Sequence, residues 1–392
     1  MRHDPDSLRD LLPYASPGQA RCIQAAIDAG SFRAGAQKIG VNTRTVAAAI
    51  AAVRKKAALQ GLSPEHDMVH TVPDGFTVKG VSTLYGADGG LKAQWVKSRA
   101  DDERREAIMR EAFEAFADEL PRYKPGAAPK RGDADHLPVY VIGDAHIGMY
   151  SWQEETGQDF DLSIAARELC GAVDRLVNSA PATDAALILN TGDYFHSDTS
   201  ANVTLRSNNA LDVDTRWAKV LQVGIRALRR CVESALTKHK TVHIVNVAGN
   251  HDDHTSIFLS IALAAFYEKD PRVKVDLSPA AHHYFVFGSN LIGMTHTHKK
   301  PEELGPIMAT DRPEAWGAAK YRFWYLGHIH HRRVVELPGC VVESFRTLAA
   351  RDAWHAAEGY RAGRDMTCIV LHARHGEVER HRVDVGMLGL DR

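Results

Sequence analysis

Residues 185–196, AALILNTGDYFH, carry an apolar run into a polar cluster, and four further stretches share the design: PVYVIGDAH at 138–146, VHIVNVAGNHDDH at 242–254, NLIGMTHTH at 290–298 and YRFWYLGHIHH at 321–331. A short continuous apolar run reads as a strand buried on both faces. Amphipathic stretches at Leu162–Ser179, Asp212–Lys240 and Ile257–Lys269 separate several of these runs and read as helices. Strands alternating with helices predict an α/β fold for the segment from 137 to the end. Such a fold gathers residues distant in sequence into one crevice at the strand ends.

The residue types at those ends suit divalent cations, which take carboxylate oxygens and imidazole nitrogens, and a pair of ions wants one ligand able to bridge. Asp144 and His146 are two apart, so on an extended chain leaving a strand both side chains point to one side. Asp193 follows Gly192, where a glycine lets backbone and metal approach closely. Asn250 offers an amide oxygen, and His251 beside it points elsewhere. His328 and His330 repeat the spacing of two, which turns Ile329 toward the core. At the fourth cluster His296 is preferred as ligand because it directly follows the strand Leu291–Thr295, with His298 as its substitute or as a substrate contact.

Those five clusters, in order, resemble the signature of the calcineurin-like metallophosphoesterase superfamily: D-x-H, G-D, G-N-H-[DE], H and G-H-x-H are met by G-D-A-H-I-G, G-D-Y-F-H, G-N-H-D, T-H-T-H and G-H-I-H. The resemblance covers about residues 137–388. It implies one ion held by Asp144, His146, Asp193 and His330, and a second by Asp193, Asn250, His328 and a histidine of T-H-T-H. It also implies a four-layer sandwich, two mixed sheets between helices. The family often has His-Gly where this chain has His296-Thr297-His298.

Two cations about 3.5–4 Å apart lower the pKa of a bridging water, so that a hydroxide attacks phosphorus in line at neutral pH. The leaving oxygen still needs a proton. His251 is the candidate general acid, with Asp252 either orienting its imidazole or capping the following helix. His196 in G-D-Y-F-H resembles the histidine that SbcD-type double-strand-break nucleases place after the bridging aspartate to position phosphate; a surface histidine is the alternative. Asp253, His254 and His331 read as partners of the ligands or as solvated loop residues. Arg346 and Arg351, in ESFRTLAARDAW, read as a phosphate clamp or as surface arginines.

Ahead of this segment, residues 31–56, SFRAGAQKIGVNTRTVAAAIAAVRKK, fit a small helical helix-turn-helix domain at 1–62. Ala36 sits where helices cross, Gly40 at the turn, and Val46 anchors a second helix that begins after Asn42 or Thr43 as N-cap. Arg44 and Thr45 then occupy its first turn, facing base edges, and Arg54, Lys55 and Lys56 reach phosphates. Residues 1–60 hold nine Lys or Arg against four Asp. DNA contact is one reading of this module and a protein-binding three-helix unit the other. Residues 63–120 read as a hairpin turning at Ala87-Asp88-Gly89 followed by a charged helix, a wing or a connector, and 121–136 as a solvated linker rich in Pro, Gly and mixed charge. The catalytic domain is expected at 137–392.

The formal net charge of -1 excludes a globally polycationic nucleic-acid binder, so any basic surface is local. Five scattered cysteines without a C-x-x-C pair suit a reducing compartment. The start lacks an apolar leader and no window is long enough to span a membrane, which points to the cytoplasm, a host cytoplasm if the gene is phage-borne. The leading expectation is a two-metal phosphodiester hydrolase acting on DNA, similar to phage or prophage metallophosphoesterases with an N-terminal helix-turn-helix. Only about 60 residues follow His330, so the DNA-capping domain of SbcD-like nucleases, and with it processive exonuclease action, is not expected. The alternatives are a phosphatase or a small-molecule or cyclic-nucleotide phosphodiesterase, and a non-catalytic DNA-binding regulator. Mn²⁺ is the favoured metal, with Fe²⁺ or Zn²⁺ admitted by the same ligands. Oligomeric state is left open.

Overall fold

The computed structural model describes residues 8–63, 68, 76–86, 91–100, 125–204, 209–297 and 299–389. The charged helix read within 101–120, the hairpin turn at 87–89 and His298 lie outside them. The chain divides into two compact units, Met1–Glu111 and Ala112–Arg392, with the division ahead of the stretch read as a linker.

The first unit opens with helices α1 (Pro17–Ala29), α2 (Phe32–Ile39) and α3 (Thr43–Leu59). Their ends follow local chemistry. Ser16 and Gln19 form a capping box before α1, with Pro17 at its first position. Ser31 caps α2, Gly40 ends it in the left-handed region at φ 73°, and Asn42 rather than Thr43 caps α3 by accepting from the Arg44 N–H. Ile23, Ala36, Val46, Ile50 and Val53 form its core. Gly35 makes the α1–α2 crossing possible, since a Cβ there would lie 2.7 Å from the Ala25 carbonyl oxygen. Strands β1 (Phe76–Tyr85) and β2 (Leu91–Ala100) then pair as an antiparallel hairpin.

The second unit is built on two mixed sheets. One has six strands in the order β13-β12-β3-β4-β5-β6, where β3 is His136–Ile142, β4 Ala185–Asn190, β5 Thr241–Asn246, β6 Val273–Val275, β12 Asp365–His372 and β13 Gly376–Asp384. The other has five in the order β10-β11-β9-β8-β7, with β7 His283–Phe287, β8 Asn290–His296, β9 Tyr321–Gly327, β10 Arg333–Leu337 and β11 Cys340–Ser344. Alternation along each strand sorts the side chains into layers. Leu137, Val139 and Val141 of β3 join Leu187 and Leu189 of β4 and Ile292, Met294, Phe323 and Tyr325 of the second sheet in one apolar layer between the sheets. Tyr140 and Ile142 point the other way, into a core shared with the helices Leu162–Ser179, Trp217–Leu236 and Thr255–Phe266. Leu291, Trp324 and Leu326 face Leu304 and Met308 of the helix Pro301–Asp311. Helices, sheet, sheet and helices make four layers, and each fully buried Leu, Ile or Val stabilises them by about 1.5–3 kcal/mol.

Two helices differ from the sequence reading. The stretch 212–240 becomes helical only from Trp217 to Leu236, because residues 212–214 pair back on the segment after β3: Tyr150 N–H donates to the Asp212 carbonyl and Asp214 N–H to that of Gly148. The stretch 257–269 is instead Thr255–Phe266. Among the described residues no helix is long and apolar enough to cross a membrane. Strands β3, β4 and β5 run parallel in a register that aligns Ile142, Asn190 and Asn246, and β8 runs parallel to β9 with His296 opposite Gly327. All five polar clusters therefore leave their sheets at one edge.

Candidate metal centre

The loops leaving those strands are folded against backbone preference. Asp144, His146, Asp193, His328 and His330 have φ of 33°, 45°, 50°, 91° and 53°. Side chains bearing a Cβ rarely occupy this region, and each such residue costs on the order of 1–3 kcal/mol. Asp144 and His146 therefore do not share a side by lying on an extended chain, as their spacing suggests; tight left-handed turns aim them. Ile329 does not turn into the core either. It is half-buried, and its carbonyl accepts from His331 Nδ1 at 2.7 Å.

Hydrogen bonds hold the strained turns. Asp252 is fully buried, and its carboxylate accepts the N–H groups of Gly249, Asp193, Tyr194 and Phe195 at 2.9, 3.2, 2.8 and 3.2 Å. It pins the Gly192–Phe195 turn, and so neither orients the His251 imidazole nor caps the next helix. His251 Nδ1–H instead donates to the His196 carbonyl at 2.9 Å. The helix start at Thr255 is held by Asp198, which accepts from the N–H of His254 and Thr255 and from the His254 imidazole. Burial pushes the Asp252 carboxyl up to about 8, against four N–H donors that favour the ionised form.

Acceptors converge at the centre. His296 Nδ1–H donates to the Thr191 carbonyl at 3.0 Å, which points Nε2 into the site. That nitrogen is 3.0 Å from Asn250 Oδ1, 3.1 Å from Asp193 Oδ2 and 3.2 Å from His328 Nδ1, itself 3.0 Å from Asn250 Oδ1. Ligand atoms bound at about 2.0–2.1 Å to one ion sit about 3 Å apart, so this spacing suits a shared cation. A second group lies beside it, where His146 Nε2 is 3.1 Å from His330 Nε2, and His330 Nε2 is 4.0 Å from Asp144 Oδ1. Asp144, His146 and His330 form one potential metal-holding group, Asp193, His296 and His328 another, and His146, His196 and His251 a third that shares His146 with the first. Asp193 adjoins both, since its carbonyl accepts from His146 N–H and its Oδ1 from His251 N–H.

The electrostatics express the same demand for positive charge. Burial alone would lower His296, yet the carboxylates of Asp193 and Asp144 raise it to about 10, so a proton sits where a cation fits. Burial lifts Asp144 to about 7 and pulls His330 down to about 3. Asp193 stays well below the usual carboxylate range because His296 outweighs its burial.

The remaining candidates divide. His196 is buried rather than on the surface, with Nδ1 3.1 Å from His146 Nδ1 and its enclosed Nε2 without a hydrogen-bond partner among the described residues. Arg346 pairs through one guanidinium nitrogen with Asp365 at 2.7 Å, which also takes Arg382, so that this end of the side chain is engaged within the fold. Arg351 donates to the Tyr360 carbonyl and lines a cavity of about 280 Å³ beside His330. His331 is exposed and Asp253 half-buried. In the first unit Arg44, Thr45, Lys55 and Lys56 are exposed and Arg54 half-buried.

Three contributors were not singled out by the sequence reading. Thr347 donates to the Asp144 carbonyl at 2.6 Å. His355 stacks on His330 with ring centroids 4.7 Å apart, and its Nδ1–H donates to Asp352 at 2.7 Å. The one signal was the D-x-x-H spacing within 352–355, which matches a helix N-cap as well as a site.

The family model described as calcineurin-like phosphoesterase matches residues 137–332. Solved structures similar to this chain include Vps29 from Entamoeba histolytica complexed with zinc, 15% identical, with 63% of this chain and 99% of that one covered and a TM-score of 0.28. A predicted phosphoesterase from Streptococcus pneumoniae is 11% identical, with 64% and 98% covered and a TM-score of 0.27. An archaeal phosphodiesterase is 11% identical, with 63% and 99% covered and a TM-score of 0.33. No curated protein matches.

Proposed function

Because this chain belongs to the calcineurin-like phosphoesterase family and is a metal-dependent phosphoesterase, we propose that it is a two-metal phosphodiesterase acting on DNA, with His251 as general acid. One observation carries the two-metal part: the Asp144, His146 and His330 group lies beside the Asp193, His296 and His328 group, and the Asp193 backbone carbonyl accepts the His146 N–H. Asp144, His146, Asp193 and His330 would hold one divalent ion, and Asp193, Asn250, His296 and His328 the other. Such ions, Mn²⁺ by preference, supply a nucleophilic hydroxide at neutral pH and screen phosphate charge. The protein does the rest. Asp252 and Thr347 hold the ligand turns in their strained shape, and the His196 carbonyl accepts the His251 Nδ1–H, which turns Nε2 to the cleft as the nitrogen that takes up a proton and passes it on. His251 lines the cleft and protonates the departing oxygen.

Two observations support DNA as substrate: the basic first unit, with Arg44, Thr45, Lys55 and Lys56 exposed on α3, and the local likeness of G-D-Y-F-H to nuclease motifs. The test uses purified protein with Mn²⁺ and four substrates: single-stranded DNA, duplex DNA, a cyclic nucleotide and an aryl phosphodiester. We expect DNA cleavage that Asp193→Ala abolishes. His251→Ala should slow DNA cleavage by about 10²–10⁴-fold and aryl ester cleavage far less, because a nitrophenolate leaves without a proton. Turnover of the small substrates alone would remove DNA from the proposal.

A further inference from the structure

The cleft above the candidate metal centre has one wall that the hydrolytic chemistry does not use. Its volume is about 550 Å³, its floor includes Asp193, Asn250, His251, His328 and His330, and one wall consists of Trp354, His355 and Tyr360. His355 is stacked flat on His330. Trp354 and Tyr360 each meet its ring edge-on, at 4.9 and 5.0 Å, and lie 5.8 Å from each other. Trp354 is nonetheless 58% exposed and Tyr360 36%. Single exposed aromatics need no explanation. Here a packed trio is anchored on a candidate ligand, with its outer members open at the mouth of the site.

Behind this wall lies the cavity of about 280 Å³, which shares His330, His355 and Tyr360 with the cleft and is also lined by Arg351 and Arg361. Arg351 donates to the Tyr360 carbonyl, and Arg361 to those of Ala356 and Tyr360. Among the described residues neither guanidinium pairs with a carboxylate. With five N–H donors each, both retain donors for an anion.

We propose that Trp354 and Tyr360 form a stacking wall for a nucleobase of the substrate, and that Arg351 and Arg361 take the phosphate next to the one cleaved. The proposal rests on the phosphodiesterase reading and narrows its substrate to a strand with unpaired, accessible bases. Every base offers a π-face, so the wall tolerates sequence, while the adjoining guanidinium groups require a second phosphate. A base held in a duplex stack presents no such face.

The test compares oligothymidylate with an abasic oligomer of equal length, using the full chain with Mn²⁺. Trp354→Ala should lower the ratio of kcat/KM for the two by about tenfold or more, Tyr360→Ala should act in the same direction, and Trp354→Phe should restore most of the ratio. Arg351→Ala and Arg361→Ala should raise KM for the oligomer more than for thymidylyl-thymidine, which has one phosphate only. Binding is read separately, with Ca²⁺ in place of Mn²⁺, by tryptophan fluorescence. Oligothymidylate should quench it, the abasic oligomer should not, and Trp354→Phe should lose the quenching. The wall is refuted if DNA is cleaved with an unchanged ratio in Trp354→Ala, or if both oligomers quench equally. An absence of DNA cleavage together with base-dependent quenching would instead refute the nuclease reading and keep the wall.

Discussion

At the residue scale the site is a set of left-handed turns held by buried acceptors. Five candidate ligands share this conformation, so the ligand loops cost free energy that the surrounding hydrogen bonds and any bound cation offset. Asp252 is the main brace, since its two oxygens accept four N–H groups from the turns that present Asp193 and Asn250. Asp252→Asn keeps the shape but replaces one acceptor oxygen with a donor that faces N–H groups. We expect Mn²⁺ affinity, measured by calorimetric titration, to fall about 10–100-fold, the usual effect of removing a partner that orients a ligand. An unchanged affinity would show that the turn is held without it. Gly249 makes a steric claim on the same carboxylate, because a Cβ there would lie 2.0 Å from Asp193 Oδ1. Gly249→Ala should therefore displace Asp193 and abolish metal-dependent turnover while the fold, followed by circular dichroism, persists. The identity of the ligands was legible because each is a rare donor type at the end of an apolar run. The work of Asp252 was not, because its partners are backbone amides up to 59 residues away, and sequence carries no mark for them.

At the element scale, the parallel strands were legible as continuous apolar runs and Leu162–Ser179 from its amphipathic periodicity, while its cap, Asp161 accepting the Ile164 N–H, is a finding of the structure. The loop over the cleft was not. Residues 352–360 look like an ordinary capped turn, and they meet His330 only because β11 returns the chain beside β9. A similar long-range contact contributes to the acid stability of the six-stranded sheet. His239, just beyond the helix Trp217–Leu236, lies between the Tyr140 hydroxyl of β3, at 2.8 Å, and the Thr183 hydroxyl ahead of β4, at 2.7 Å. Burial pushes it down from 6.5 to about 4. The folded chain thus keeps this imidazole neutral where the unfolded chain protonates it. Stability is complete above pH 6.5 and is lost as pH falls through 6.5 toward 4, by about 3 kcal/mol at the lower end. Urea unfolding with a chelator present should show this fall, and His239→Gln should show a pH slope shallower by up to about one proton over the same window. Equal slopes in the two proteins would assign the acid sensitivity elsewhere.

At the scale of the whole molecule, charge is divided between the units. The chain is nearly neutral, yet residues 1–60 carry nine Lys or Arg against four Asp, which leaves the rest net negative. If DNA is the substrate, the first unit must supply most of the long-range attraction, and the catalytic unit must rely on its cleft. On α3, Arg44 and Lys55 are eleven residues apart, about three helical turns, so they lie on one face about 16 Å apart along the axis. The exposed positions between them on that face, Ala48, Ala51 and Ala52, are small enough for a close approach to a groove. Each phosphate neutralised by the helix should contribute a slope of about -0.9 in log affinity against log salt for duplex DNA. With full-length protein and a metal that does not support cleavage, we expect Arg44→Ala, Lys55→Ala and Lys56→Ala each to flatten that slope by roughly one where the side chain meets a phosphate. Fluorescence anisotropy between about 50 and 200 mM salt has the range to resolve this change. A slope that none of the three alters would take DNA contact away from the first unit and favour a protein-binding three-helix module, leaving strand capture to Arg351 and Arg361 beside the metal cleft.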